Sequence, residues 1–148
     1  MTLRDHIAIH CTPAEAWAIL GDPSLMPLWN PKCVDCESLD GPIGVGTRYK
    51  ATFHMRGPER ETSCEVIQCL PAQLLRTRYS GMAFPNGGYV DETFRLTPMS
   101  TGTRLAHAVD FAHSGIPWVF QVLMKLINLF GHNVGPSLLE NIRELACG

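Results

Sequence analysis

The chain opens on a stretch in which apolar and polar residues alternate. Over residues 2–11 the apolar side of an extended chain would carry Leu3, Ile7, Ile9 and Cys11, and the other side charged or imidazole groups. A period of two is typical of a strand with one buried face. The pattern therefore predicts a half-buried first strand over residues 2–11.

The same period governs residues 32–112, which turn signals divide into six further strand-like runs. The signals are clusters of Gly, Pro, Asn, Asp and Ser, the residues that turns require. They fall at residues 40–42, 56–59, 70–72, 85–88 and 98–102. Because the connections are short, sequential strands are expected to pair as antiparallel neighbours. The chain is thus predicted to form a meander of about seven strands.

The predicted register gives the sheet one apolar face and one charged face. The expected partners are Met55–Arg60, Phe53–Thr62 and Ala51–Cys64 in the first tight hairpin, and Leu96–Leu105, Phe94–His107 and Glu92–Val109 in the last. On the opposite face the charge sign alternates from strand to strand: Arg48, Lys50 and His54, then Glu61 and Glu65, then Arg76 and Arg78. Opposite charges on neighbouring strands attract. We expect that face to be solvated.

Helix signals flank the meander. Thr12 as N-cap and Pro13 at the first position predict a short helix over residues 14–20, and a second helix or turn covers residues 24–28. A long helix follows Ser114, its expected N-cap, with one narrow polar stripe: Gln121, Lys125, Asn128 and His132. Because the rest of that helix is apolar, it should be gripped by a concave surface or meet a partner. A kink or break is expected at Gly131, Gly135 and Pro136.

Composition adds limits rather than a function. The 148 residues, 45% hydrophobic and 18% charged with a net charge of −2, are expected to form one domain over 1–148. That charge gives no bulk attraction to nucleic acid. The start lacks a secretory pattern, and no apolar run is long enough for stable membrane insertion. The six cysteines are therefore expected to be reduced thiols in the cytoplasm, with Cys147 frayed and exposed.

At this point the order of elements resembles the SRPBCC superfamily, which includes START-like lipid-transfer domains, the birch-pollen-allergen group and polyketide cyclase/dehydratase-like proteins. The motifs that carry the resemblance are Thr12–Trp17, Asp22-Pro23, Trp29-Asn30-Pro31, Asp40-Gly41 with Gly44–Thr47, and Ser114–Trp118. The resemblance covers essentially the whole chain. It implies an α+β helix-grip fold, in which a curled antiparallel sheet and a long C-terminal helix enclose a deep apolar cavity.

Three functions remain open. The first is binding of a small hydrophobic ligand, polyketide-, aromatic- or lipid-like, without a cofactor. The residues expected to line the site are Trp29, Tyr49, Phe53, Arg60, Thr77, Tyr79, Phe94, Val109, Phe111, Trp118 and Val122. Trp29 and Trp118 are expected at the cavity mouth. Another of the three is partner binding, in which the apolar helix face or a sheet edge forms a homodimer.

The remaining function is catalysis by an enzyme of the polyketide cyclase/dehydratase type. Glu92 and His107 lie diagonally across adjacent predicted strands and within side-chain reach. Such a pair could remove a proton beside a ketone and return it to the oxygen lost in dehydration. The alternatives are a pair that merely fixes the strands, or a salt bridge from Glu92 to Arg60.

Metal and redox chemistry have little support in the sequence. Cys33 and Cys36 have the C-x-x-C spacing, but residues three apart on a strand point to opposite faces. The histidines show no ligand spacing. We therefore expect no metal site.

Overall fold

The computed structural model describes residues 1–54, 58–81, 84–120 and 137–148. Its strands are β1 (Thr2–Ile9), β2 (Cys33–Cys36), β3 (Arg48–Phe53), β4 (Arg60–Leu70), β5 (Leu74–Ser80), β6 (Tyr89–Met99) and β7 (Gly102–Asp110). Its helices are α1 (Pro13–Leu20), α2 (Met26–Trp29) and α3 (Leu138–Cys147), with 3₁₀ turns at Pro23–Leu25 and Pro85–Gly87. Residues 118–120 are helical as well. The predicted polar stripe, Val122 and the predicted kink lie outside the described residues.

All seven strands form one antiparallel sheet, in the order β1-β7-β6-β5-β4-β3-β2. From β2 to β7 each strand pairs with the next in sequence, and β1 pairs with β7. The sheet is curled, and the C-terminal helix packs on it and on α1 and α2. This arrangement confirms the predicted helix-grip fold.

The chain before the meander turns as its capping residues predict. The Thr12 hydroxyl accepts a hydrogen bond from the Glu15 N–H at 3.1 Å, which starts α1 beside β1. The first strand ends at Ile9, two residues earlier than predicted, because the chain must leave the sheet to reach this cap. Ser114 is not the cap that the sequence predicts. Its hydroxyl accepts from the Ile116 N–H at 3.2 Å, in a turn ahead of the helical residues 118–120.

The turn between β6 and β7 fixes the register on which the candidate site depends. Gly102 has φ +146°, and a Cβ there would collide with the Ile9 carbonyl, so this position favours glycine. The resulting pairs are Leu96–Leu105, Phe94–His107 and Glu92–Val109. The register predicted for this hairpin is confirmed, and a slip of one residue would have turned these side chains to the other face.

The first predicted hairpin is wrong by two residues. The observed pairs are Phe53–Arg60, Ala51–Thr62 and Tyr49–Cys64. The connection is therefore two residues longer than the tight turn expected at residues 56–59. Since side chains alternate with a period of two, a shift of two leaves the paired residues of β3 and β4 on their predicted faces. Met55, predicted to pair with Arg60, lies outside the described residues.

β2 is bulged, and this overturns the prediction that Cys33 and Cys36 point to opposite faces. The register shifts between Cys33, opposite Phe53, and Asp35, opposite Thr52. An extra residue in one strand changes the alternation of faces. Both cysteines are consequently buried, whereas the two residues between them are exposed.

The C-terminal helix α3 begins at a capping box formed by Ser137 and Glu140 and buries Leu139 and Ile142. Its last residue, Cys147, is bonded to Cys11 in a disulfide with a Cα–Cα distance of 5.4 Å. The expectation of six reduced thiols is therefore wrong for this pair. Cys147 is exposed as expected, but it is not frayed, because it is the last residue of α3 and is bonded to Cys11. The fold brings together two cysteines 136 positions apart, which no local pattern could reveal.

Candidate ligand-binding and acid–base site

Glu92 lies at the centre of the inner face of the sheet, on β6 between β5 and β7. It is 7% exposed. One carboxylate oxygen accepts from the Tyr79 hydroxyl at 2.7 Å, and the other lies 2.9 Å from Nε2 of His107. Three neighbouring strands thus contribute one residue each to a hydrogen-bonded set, which we call the inner triad (Tyr79, Glu92, His107). The predicted approach of Glu92 and His107 is present, and the alternative bridge from Glu92 to Arg60 is not.

Tyr79 is a proton donor to this carboxylate. Burial raises the pKa of its phenol well above the ordinary value, and the neighbouring Glu92 charge raises that pKa further. The hydroxyl therefore stays protonated at physiological pH. Tyr49, close by, also has a raised pKa, chiefly because it is buried, although a hydrogen bond with Thr77 opposes the shift.

His107 presents one ring nitrogen, Nε2, to Glu92, and its second ring nitrogen is Nδ1. Its ring stacks on Phe94, with 4.6 Å between centroids and 27° between planes. Among the described residues no group bonds to Nδ1. When an ionised Glu92 accepts from Nε2–H, a neutral imidazole carries its lone pair on Nδ1. The triad thus ends in a nitrogen that can accept or, once protonated, donate.

Trp29 is part of the interior and not of a cavity lip. Its side chain is 3% exposed and meets Phe94 edge-on, with ring centroids 5.5 Å apart. The amide of Asn141, on α3, donates to the Trp29 carbonyl at 3.2 Å. The indole Nε1–H is buried and finds no acceptor in the described part of the chain. The predicted position at the cavity lip is therefore wrong for Trp29. Trp118, in contrast to Trp29, is 74% exposed.

The remaining predicted lining residues divide by position. Tyr49 and Thr77 are buried on the inner face, and half-buried Phe53 packs edge-on against Tyr79 at 5.8 Å. Val109 and Phe111 are half-buried near the end of β7. Arg60 is exposed at the start of β4, opposite Phe53, and makes no recorded contact with the triad. Val122 lies outside the described residues.

Three buried thiols also belong to this inner surface: Cys64, which the sequence reasoning expected there, and Cys33 and Cys36, which it did not assign to a face. Burial raises the pKa of Cys33 to about 11 and that of Cys36 to about 12, and it also raises the pKa of Cys64. These groups are neutral at physiological pH and behave as small apolar residues rather than nucleophiles. Cys33 escaped the sequence reasoning because the bulge in β2 has no signature of its own.

Two further observations concern the described residues only. They contain no group of three or more His, Cys, Asp or Glu side chains arranged to hold a metal ion. Within the same ranges, the helices are too short or too polar to cross a membrane.

The family model described as polyketide cyclase / dehydrase and lipid transport matches residues 1–131. The chain belongs to this family. Among curated proteins nothing matches the chain. The family description names both an enzymatic and a carrier activity.

Solved structures support the fold. CV1439 from Chromobacterium violaceum is 20% identical, with a TM-score of 0.68 over 98% of this chain and 96% of that one. The structure of Ara h 8.0201 is 18% identical, with a TM-score of 0.66 over 99% and 97%. DynU16, described as a putative protein of the dynemicin biosynthetic locus, is 17% identical, with a TM-score of 0.64 over 97% of this chain and 46% of that one. At these identities the likeness shows the fold alone.

Proposed function

We propose that this family member binds a small, largely apolar ligand against the inner face of the sheet and that the inner triad orients a polar end of that ligand. The ligand class is polyketide-, aromatic- or lipid-like. The observation that carries the proposal is the inner triad itself. Removing a carboxylate from water costs several kcal/mol. This cost of keeping Glu92 on a mostly apolar face favours a role for it beyond stability.

The surroundings of the triad support the same function. Trp29, Phe94 and the ring of His107 form a continuous aromatic wall, with centroid separations of 5.5 and 4.6 Å. Binding sites for small molecules typically combine such apolar walls with a few polar groups that fix orientation. The family description, which names lipid transport, agrees with a carrier.

A blocking substitution tests the proposal. Val109 lies on β7 opposite Glu92, and a Val109→Trp change would place a large ring on the inner face beside the triad. Arg95→Trp is the matched control, because Arg95 is exposed on the other face of β6. We expect N-phenyl-1-naphthylamine, a neutral fluorescent probe, to bind the wild type and Arg95→Trp alike and to bind Val109→Trp at least about tenfold more weakly. Equal binding by all three folded proteins would contradict the proposal.

The second candidate function is the cyclase/dehydratase reaction, which the 2.9 Å contact between Glu92 and His107 favours. Nδ1 of His107 would take a proton from the carbon beside a ketone, and Glu92 would stabilise the imidazolium. The resulting enolate would attack a second carbonyl, and the same proton would convert the new alkoxide into a hydroxyl. Removal of a second α-proton by Nδ1 and its transfer to that hydroxyl would release water and leave a carbon–carbon double bond. Glu92→Gln and His107→Gln separate the two functions. An enzyme should lose turnover by roughly 10²–10⁴-fold and still bind, whereas a carrier should show only changed affinity.

Three narrower expectations remain proposals. The homodimer is tested by sedimentation at several concentrations, and a strict monomer would remove it. The arrangement of residues 1–148 as one domain is tested by limited proteolysis.

The cytoplasmic location is no longer supported by the cysteines, because Cys11 and Cys147 are bonded and disulfides persist mainly in oxidising compartments. Alkylation of thiols in intact cells tests it: six reactive thiols in the denatured protein would support the cytoplasm, and four would contradict it.

A further inference from the structure

The indole N–H of Trp29 is a buried donor without an acceptor in the described part of the chain. Native proteins pair more than about 90% of their buried polar groups, so each exception requires an explanation. Among the described residues the exceptions are Trp29 Nε1 and Arg76 Nε, and Arg76 already binds Asp91 on the outer face. Trp29 is 3% exposed, and its Nε1 has no partner among the described residues. An indole nitrogen can only donate. Any hydrogen-bond partner of the Trp29 N–H must therefore supply an acceptor atom.

This donor is connected through aromatic contacts to the inner triad. The Trp29 ring meets Phe94 edge-on, and the other recorded ring contact of Phe94 is with His107, whose Nε2 binds Glu92. Nδ1 of His107 thus belongs to the same wall as the N–H of Trp29. Phe94 lies between the two rings and contacts both.

The charges around this wall restrict the acceptor to a neutral group. The Glu92 carboxylate would repel a ligand carboxylate in an environment with little water. The basic residues that the described sheet carries on its inner face are Arg60, which is exposed at the start of β4, and His107, which is already engaged by Glu92. Neither offers a free cation to an anionic ligand beside Trp29.

We propose that Trp29 Nε1–H donates to the carbonyl oxygen of a neutral aromatic ketone or quinone, and that this hydrogen bond selects such ligands over hydrocarbons and carboxylates of the same size. The inference rests on the proposed binding function and names its ligand class. The stacked and edge-on rings of the wall favour a planar ligand, because aromatic pairs gain energy in these geometries beyond the area they bury.

Three matched probes test this selection. 2-Acetylnaphthalene carries the carbonyl, 2-ethylnaphthalene lacks it, and 2-naphthoate replaces it with a charge. The variant Trp29→Phe removes the N–H and keeps an aromatic ring. Trp17→Phe is the control, because Trp17 lies on α1 and has no recorded ring contact with Phe94 or His107.

We expect the wild type and Trp17→Phe to bind the ketone more tightly than the hydrocarbon, and the carboxylate most weakly. Trp29→Phe should lose about 5- to 20-fold in affinity for the ketone and much less for the hydrocarbon, because only the ketone uses the N–H. In the wild type, the indole N–H resonance of Trp29 should move further downfield with the ketone than with the hydrocarbon. This spectroscopic test needs no variant that might misfold.

Failure of the inference can be distinguished from failure of the proposed function. Binding of ketone and hydrocarbon with equal affinity, no selective loss in Trp29→Phe and no selective resonance shift would overturn the inference and leave the binding function standing. Tighter binding of 2-naphthoate than of the ketone would also overturn it. If none of the three probes bound the wild type, the proposed function itself would fail.

Discussion

Asp91 and Glu92 are consecutive acidic residues on β6, and both are buried, at 4% and 7% exposure. They point to opposite faces of the sheet and have different partners. Asp91, on the outer face, accepts hydrogen bonds from Arg76 at 2.9 Å and from Arg78 at 2.8 and 3.0 Å. Glu92, on the inner face, has a phenol and an imidazole and no arginine.

The difference separates a structural carboxylate from a functional one. Burial opposes ionisation of Asp91, but the bonds and charges of Arg78 and Arg76 outweigh burial and hold its pKa below the ordinary value of 3.8. The guanidinium of Arg78 also lies 4.0 Å from the centre of the Tyr89 ring, which holds it in place. Two permanently charged side chains, Arg76 and Arg78, therefore hold the Asp91 carboxylate on the outer face of the sheet. Glu92 has no permanent cation, so its charge is available to a ligand or a proton.

The largest expected effect is the loss of the outer carboxylate. Asp91→Asn keeps the shape of the side chain and leaves two guanidinium groups without their counter-ion. Since both arginines are more than a third exposed, water recovers part of the loss, and we expect the free energy of unfolding to fall by about 2–3 kcal/mol. Denaturant unfolding measures it. A change below about 0.5 kcal/mol would show that the cluster contributes no stability.

The inner face should respond less to the loss of one neutral donor. Tyr79→Phe removes the hydroxyl that binds Glu92 and leaves one carboxylate oxygen without a partner, so we expect a loss of about 1–2 kcal/mol. The same unfolding assay measures it, and Tyr89→Phe, whose ring faces Arg78 on the outer face, is the control. A larger loss in the control would reverse the roles assigned to the two faces.

Neutralising the inner carboxylate should cost less still. In Glu92→Gln the amide oxygen can accept from Tyr79 and the amide nitrogen can donate to the other tautomer of His107, so the free energy of unfolding should change by less than about 1 kcal/mol. Binding of 2-naphthoate should instead strengthen by about threefold or more, because the repelling charge is gone. Asp91→Asn should leave that affinity unchanged. Equal affinities in both variants would contradict the contrast between the faces.

Lowering the pH should produce the smallest of the expected differences between Asp91 and Glu92. Because the pKa of Asp91 is depressed by folding, its stabilising contribution is complete above the ordinary pKa of 3.8 and is lost as the pH falls through the lower, folded value. The wild type should therefore lose stability below about pH 4 through this group, and Asp91→Asn should lack that component. Unfolding curves between pH 3 and pH 7 measure the difference. Parallel curves for the two proteins would refute the assignment.

The fold could be predicted because its signals are local. Turn residues mark every strand boundary, the Thr12 cap starts α1, and the β6–β7 turn at Gly102 sets the register that brings Glu92 to His107. Even the misplaced hairpin before β4 left the faces unchanged, because its error was an even number of residues.

The features that escaped prediction depend on contacts between distant parts of the chain. The Cys11–Cys147 disulfide joins the two ends of the fold, and the bulge at Cys33 depends on how β2 meets β3. Burial of Trp29 depends on Phe94 and on Asn141, 112 positions away. The burial of Asp91 was not predicted. A polar residue is expected on the outer face, and nothing in the sequence indicates that arginines cover it there.

The central claim, that the inner face of this sheet holds an apolar ligand, is tested most directly by native mass spectrometry of the purified protein, followed by denaturing extraction. The account predicts a bound compound, or one bound equivalent of N-phenyl-1-naphthylamine when the purified protein is empty. The extracted compound should be neutral, aromatic and carbonyl-bearing. A protein that carries nothing and takes up no probe has a filled core, and that result would contradict the account.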